Sequence, residues 1–147
     1  MRVDKAQKYL KMAKFMANEF SKDPSTKVGA IFLRPETYEI LATGYNGFPR
    51  KIDETDQNRW KRPQKYFYVE HAERNAIYNA ARSGTSLLNS ICIVTLFPCC
   101  DCARGIIQTG VSLVIVEKSV KASDKWKDQW EISKEMFKEA GVQVMEI

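Results

Sequence analysis

Two short motifs carry metal-binding chemistry and constrain how the chain can fold: His71-Ala72-Glu73 and Pro98-Cys99-Cys100-Asp101-Cys102. One imidazole and two thiols separated by two residues form a three-ligand zinc set, and three protein ligands leave a tetrahedral position open for water, as in a catalytic site. The fold must therefore bring residue 71 against residues 99 and 102. Glu73 is a carboxylate that need not bind the metal and can move protons beside it. His71 is the only histidine in the chain, and a lone histidine is more often an ordinary surface or core residue. The C-x-x-C pair and the adjacent glutamate make it a ligand candidate. A structural zinc would want four ligands, and no fourth is visible unless Cys100 or a distant residue bends in. Cys100 reads as a non-ligand, because its spacing to Cys102 is too short for the usual pair. Cys92, in the apolar run Ile91-Cys92-Ile93-Val94, reads as a buried strand residue.

Periodicity supplies the frame. Ala6, Leu10, Ala13, Ala17 and their neighbours recur at three- and four-residue steps, predicting a helix over 4–22. Asp23-Pro24 breaks it. Strands are predicted at 27–33 and 40–43, joined as a hairpin through Arg34-Pro35-Glu36-Thr37. Gly44-Tyr45-Asn46-Gly47-Phe48-Pro49 reads as a loop whose glycines permit tight turns. Residues 51–68 lack clean periodicity and read as an insertion, in part helical, folded over the site. A helix is predicted over 69–83 with His71 and Glu73 in its first turn, then a buried strand at 90–96. Cys99 to Thr109 reads as a helix whose first turn puts Cys99 and Cys102 on one side, its positive dipole end favouring thiolates. A strand at 111–116, a helix from about Ser123 to Glu139 presenting Trp126 and Trp130 to the sheet, and a strand at 142–145 complete the order. This is a single α/β domain over residues 1–147, three layers deep, with a mixed five-stranded sheet: an initial antiparallel hairpin, then parallel strands.

Composition adds exclusions. No apolar run approaches the ~20 residues of a membrane span. The N-terminus leads straight into an amphipathic pattern instead of a signal core, so the protein reads as soluble and cytoplasmic, with no membrane partner. Three of the four cysteines crowd into residues 99–102, which favours metal over disulfides. The net charge of +5 and a pI near 9.0 invite a nucleic-acid reading. The basic residues are nevertheless spread along the chain and interleaved with acids, and the excess suits a small phosphorylated anion equally well.

A zinc held by His71, Cys99 and Cys102 lowers the pKa of water towards neutrality, and Glu73 can pass protons to a ring nitrogen and a leaving amino group. H-x-E with P-C-x-x-C is the signature of zinc deaminases acting on cytosine or adenine. The chain resembles the deoxycytidylate (dCMP) deaminase family of the cytidine deaminase superfamily in the zinc motifs, in Asp23-Pro24-Ser25-Thr26-Lys27-Val28-Gly29-Ala30, and in Gly44-Tyr45-Asn46-Gly47-Phe48-Pro49. The resemblance implies a cytidine-deaminase-like fold, one catalytic Zn2+ per subunit and hydrolysis of dCMP to dUMP with loss of ammonia. It also implies a homo-oligomer, commonly a hexamer, activated by dCTP and inhibited by dTTP, with Mg2+ accompanying the triphosphate. By position, Asn46 would bind the substrate sugar and Ala72 would join the substrate contacts, while Gly44, Tyr45 and Gly47 would sit near the effector. Asn46 as a supplier of turn geometry alone is the plainer reading. Ser25, Thr26 and Lys27 are candidates for the 5′-phosphate, since hydroxyls and an ammonium can bind a dianion. Tyr68 and Phe97 flank the metal motifs and could wall the cytosine ring, with core packing the alternative for Phe97. Acceptance of dCTP as substrate, a deaminase of tRNA or single-stranded DNA, and a non-catalytic zinc-stabilised module remain alternatives. The second lacks a concentrated basic and aromatic surface; the third leaves Glu73 without a task.

Overall fold

A computed structural model describes residues 1–118 and 124–147, the side chains of residues 124 and 125 excepted. In helix α1 (Val3–Phe20) the residues Ala6, Leu10, Ala13 and Ala17 form one buried stripe, while Lys8, Lys11 and Lys14 face water. The helix stops short of residue 22 because Ser21 is already extended (φ −72°, ψ 124°). The Ser21 hydroxyl donates instead to the backbone and side-chain oxygens of Asn46.

Strand β1 (Gly29–Leu33) is buried along its whole length, the mark of a central strand. It pairs antiparallel with β2 (Ile40–Tyr45) on one side and with β3 (Ile91–Val94) on the other. Strands β3, β4 (Leu113–Val116) and β5 (Gln143–Glu146) run parallel, giving the order β2-β1-β3-β4-β5. Alternation along the strands sorts two faces. Ile31, Leu33, Ile93 and Ile115 pack against α1. Phe32, Val94, Val114 and Val116 pack beneath helices α3 (Ala72–Ser83), α4 (Cys100–Gln108) and α5 (Asp124–Glu139). The mixed sheet and three layers expected from the order of elements are thus present; the expected helix start at Ser123 lies outside the described residues. Trp130 and Phe137 of α5 enter the core. Trp126 is only partly buried, so one of the two indoles expected on the sheet stands at its margin.

Two close approaches set the spacing of the layers. A Cβ on Gly29 would lie 2.2 Å from the Ala13 carbonyl oxygen, so α1 meets β1 backbone to backbone. A Cβ on Gly44 would lie 2.3 Å from the Ala72 carbonyl oxygen and 2.4 Å from the Ala76 nitrogen. Gly44 and Tyr45 belong to β2 and not to the loop the sequence suggested. Gly44 is there to let the first turn of α3 touch the sheet.

Residues 51–68 hold a 3-10 turn (Gln57–Trp60) and a one-turn helix, α2 (Lys65–Tyr68). The Trp60 ring lies on Phe48 at 4.3 Å, its indole N–H donates to the Glu54 carbonyl (2.9 Å), and Tyr68 packs on the same Phe48 at 5.5 Å. Lys65 ties the segment to the chain before β1: its ammonium lies 2.6 and 2.8 Å from the two Asp23 oxygens and 2.8 Å from Ser25 Oγ. Asp23 also accepts the Asn46 amide and the backbone N–H groups of Ser25 and Thr26. These bonds hold residues 25–28 as a loop, which is why β1 starts at Gly29 and not at residue 27. Burial by itself would raise the Asp23 pKa; Lys65 and the backbone donors outweigh it and hold the carboxyl below its usual value.

Gly44→Ala is expected to cost about 1–3 kcal/mol in urea unfolding, since backbone must move to admit the methyl; a wild-type midpoint would remove Gly44 as a spacer. Lys65→Met leaves Asp23 buried without its cation and is expected to cost about 3–5 kcal/mol at neutral pH. Because the Asp23 pKa is depressed in the fold, its contribution is present at neutral pH and lost as pH falls through the folded value. The stability gap between wild type and Lys65→Met should therefore narrow on acidification. A gap independent of pH would show that packing, not charge, is what the lysine supplies.

Candidate active site

Gly47 and Glu70 exchange backbone hydrogen bonds (3.1 and 2.9 Å), which keeps the chain extended up to His71. Helix α3 consequently begins at Ala72 instead of Val69, with His71 at its N-cap (φ −77°, ψ 154°) and Glu73 in its first turn. Pro98 ends the segment after β3, and Cys99 occupies the N-cap of α4 (φ −71°, ψ 171°). Cys102 is then the third helical residue, the position an N-cap side chain naturally reaches over. Cys99 and Cys102 come together for that reason.

The two helix starts face each other. His71 Nδ1 lies 3.4 Å from both Cys99 Sγ and Cys102 Sγ, and the three donor atoms all fall within 4.8 Å of one another. Zinc bonds of about 2.3 Å to sulfur and 2.0–2.1 Å to nitrogen in a tetrahedron put S and N ligands roughly 3.5 Å apart, so the residues fit that ion. Cys100 turns away, with its thiol 3.4 Å from the Gln129 carbonyl. Two helix N-termini aimed at one point also supply positive potential for thiolates.

The protons are arranged accordingly. The hydrogen bond from Cys102 holds the Cys99 pKa down at about 4, helped by His71. Donating that bond, together with burial, pushes the Cys102 thiol far up. The Cys99 contact raises the His71 pKa against the opposing effect of burial. Glu73 is buried, and loss of solvent raises its pKa above the usual carboxylate value, the condition for an acid–base group that must both hold and release a proton. Cys92 is buried among apolar neighbours, and burial keeps its thiol neutral.

A cavity of about 300 Å³ opens over this cluster. His71, Ala72, Glu73 and Cys99 form its floor, and its apolar walls include Trp126 and Phe97, the latter buried and packed in the core against Trp130 and Phe137. The Trp126 ring approaches the imidazole edge-on at 6.5 Å. Asn46 and Thr26 border the cavity, but the Asn46 amide is internally saturated: Oδ1 accepts from Ser21 and the Val28 N–H, and Nδ2 donates to Asp23 and the Thr26 carbonyl.

Other expected contacts lie elsewhere. Tyr68 does not line the cavity; its ring is held by Phe48 and by the Arg59 guanidinium 4.8 Å from its centroid. The Ser25 hydroxyl donates to Asp23 and accepts from Lys65, and Lys27 donates to the Asn18 carbonyl at the surface, so neither reaches the cavity. Gly44 is sealed beneath α3, while Tyr45 is exposed and stacked on Phe20 at 5.7 Å. In place of Ser25 and Lys27 the walls hold Asp23, Arg62 and Lys65. An Asx-type turn at Asp23-Pro24-Ser25 could have marked the first. Nothing local distinguishes Arg62 or Lys65 from the other basic residues.

Residues 3–118 match the family model described as cytidine and deoxycytidylate deaminase zinc-binding region. An uncharacterised deaminase of Aliivibrio fischeri is 37% identical over 95% of this chain and 90% of its own length. Human deoxycytidylate deaminase is 37% identical over 91% of this chain and 75% of its own length. Among solved structures, the dCMP deaminase of cyanophage S-TIM5 in complex with dCMP and dUMP superposes with a TM-score of 0.78 at 28% identity, covering 100% of this chain and 99% of the other.

Metal analysis of the purified protein should find close to stoichiometric zinc, lost in His71→Ala and Cys102→Ser and kept in Cys100→Ser. Cys102 holds its proton until metal displaces it, so zinc affinity measured against a competing chelator should rise with pH. An affinity independent of pH would mean that both sulfurs are already ionised.

Proposed function

Because the chain belongs to the deoxycytidylate deaminase family of the cytidine deaminase superfamily, we propose that it is one zinc-dependent domain hydrolysing dCMP to dUMP and ammonia. The observation that carries this reading is the convergence of His71, Cys99 and Cys102 beside a buried carboxylate at the bottom of a cavity with flat apolar walls. Zinc bound by those three residues supplies a water of lowered pKa. Glu73 would take one proton from the attacking water and deliver it to N3 of the cytosine as the water oxygen bonds to C4. Glu73 then carries the remaining hydroxyl proton to the amino nitrogen; the C4–N bond breaks, ammonia leaves and a carbonyl remains. The raised Glu73 pKa suits both transfers. Phe97 and Trp126 hold the ring plane and exclude water, and Ala72 at the start of α3 sits beneath the base. Asn46 meets the sugar by exchanging one of its internal partners for a sugar hydroxyl.

Regulation by dCTP and dTTP, with Mg2+ on the triphosphate, and assembly into a hexamer are parts of the same proposal. With Gly44 sealed beneath α3, Tyr45 at the end of β2 and Gly47 after it remain as the effector candidates. No described helix is long and apolar enough to cross a membrane, and we place the enzyme in the cytoplasm.

Ammonia release from dCMP, deoxycytidine, dCTP and a cytosine-containing oligonucleotide, with and without effector triphosphates, tests the proposal. Turnover of dCMP supports it, and turnover of the oligonucleotide alone overturns it. Glu73→Gln should keep its zinc and lose about 10²–10⁴-fold in kcat; a variant of near wild-type rate would take Glu73 out of the proton path.

A further inference from the structure

The proposed function leaves open which residue recognises the 5′-phosphate, since Ser25 and Lys27 are engaged elsewhere. Among the described residues three cations line the cavity: Arg62, Lys65 and Arg74. The Lys65 ammonium has its three hydrogens directed to the two Asp23 oxygens and Ser25, and it is buried there, so it has no donor left for a ligand. Arg74 pairs with Glu70 at 2.5 Å and approaches Asp101 at 3.6 Å. Arg62 differs. Its Nε donates to the Tyr66 hydroxyl (2.9 Å) and its guanidinium carbon lies 5.9 Å from the Tyr66 ring centroid; among the described residues it forms no ion pair with a carboxylate.

Resting on the reading of the site as a cytosine nucleotide site, we infer that Arg62 is the phosphate-reading residue, a specificity determinant carried by the 51–68 insertion at the cavity rim. A guanidinium presents a planar fork that matches a phosphate bidentately, where an ammonium acts as a point charge. The Tyr66 hydroxyl accepts from Nε and leaves the two terminal nitrogens of the fork for the ligand. The backbone on either side is pinned, by Trp60 buried against Phe48 and by Lys65 bonded to Asp23, so Arg62 is positioned before substrate arrives. Asp23 does not repel the dianion, because Lys65 neutralises it.

The readout is the ratio of kcat/KM for dCMP to kcat/KM for deoxycytidine, which share everything except the phosphate. In Arg62→Ala that ratio should fall by about 10–100-fold, the worth of a charge-assisted bidentate contact, and Arg62→Lys should recover part of it. The ratio of inhibition constants for dUMP and deoxyuridine gives the same comparison without chemistry and should shift equally. Equal losses on nucleotide and nucleoside would show that Arg62 only holds the insertion in place, and an unshifted ratio would return the phosphate to other residues; either overturns the assignment. Absence of dCMP turnover in the unaltered protein would overturn the deaminase reading itself, and Arg62 with it.

Discussion

The architecture depends on a single meeting point, where the N-termini of α3 and α4 face each other closely enough for one imidazole and two sulfurs to share an ion. Each helix reaches that point by a different device. For α3 it is contact with the sheet: Gly44 lets Ala72 and Ala76 touch β2, and the Gly47–Glu70 bridge keeps the chain straight until His71. For α4 it is Pro98, which stops the segment after β3 and places Cys99 at the cap. The cap geometry then brings Cys102 over Cys99. The metal set is therefore a consequence of how two helices start, and side-chain length contributes little to it.

A second knot holds the other wall of the cavity. Asp23 collects hydrogen bonds from Lys65, Asn46, Ser25 and Thr26, joining the end of α1, the approach to β1, the end of β2 and the insertion at one carboxylate. A buried ion pair is a poor source of net stability, because desolvation offsets most of the attraction. Its effect is geometric: the Asn46 amide is held in one orientation, and α2 cannot drift from the cavity. The aromatic stack of Phe48, Trp60 and Tyr68 gives the insertion a small apolar core of its own.

Legibility in the sequence followed the range of the interactions. The helices and strands were readable because their periods are local, and errors of one to three residues came at the ends, where distant partners decide. Val69 carried a helical pattern, yet its neighbour Glu70 is claimed by Gly47. The metal set was readable because each half is a local motif, Glu73 within a turn of His71 and Cys102 within a turn of Cys99. Lys65 was not, since its partner Asp23 lies 42 positions away and a lysine among many carries no mark of its pairing. Gly44 was misread as a turn residue for a related reason: a glycine that permits turning and a glycine that permits close approach look identical until the neighbouring helix is in place. Tyr68 was assigned to the ring pocket on proximity to His71, but in a one-turn helix the adjacent side chains diverge, and Tyr66 faces the cavity instead.

The charges divide the cavity into two ends. At the floor, two sulfurs, an imidazole and a buried carboxyl converge, a donor set that favours a cation over an anion. Along the wall, Asp23 and Lys65 cancel. The rim holds the positive charge of Arg62. On the proposed assignment of Arg62, a nucleotide entering this field is oriented before its base reaches Glu73, because its dianionic end is attracted outward to the rim. On that assignment orientation and chemistry fall to different segments of the chain: the paired helix starts set the reaction at the floor, while the insertion, held by Trp60 and Lys65, decides which end of the substrate points in.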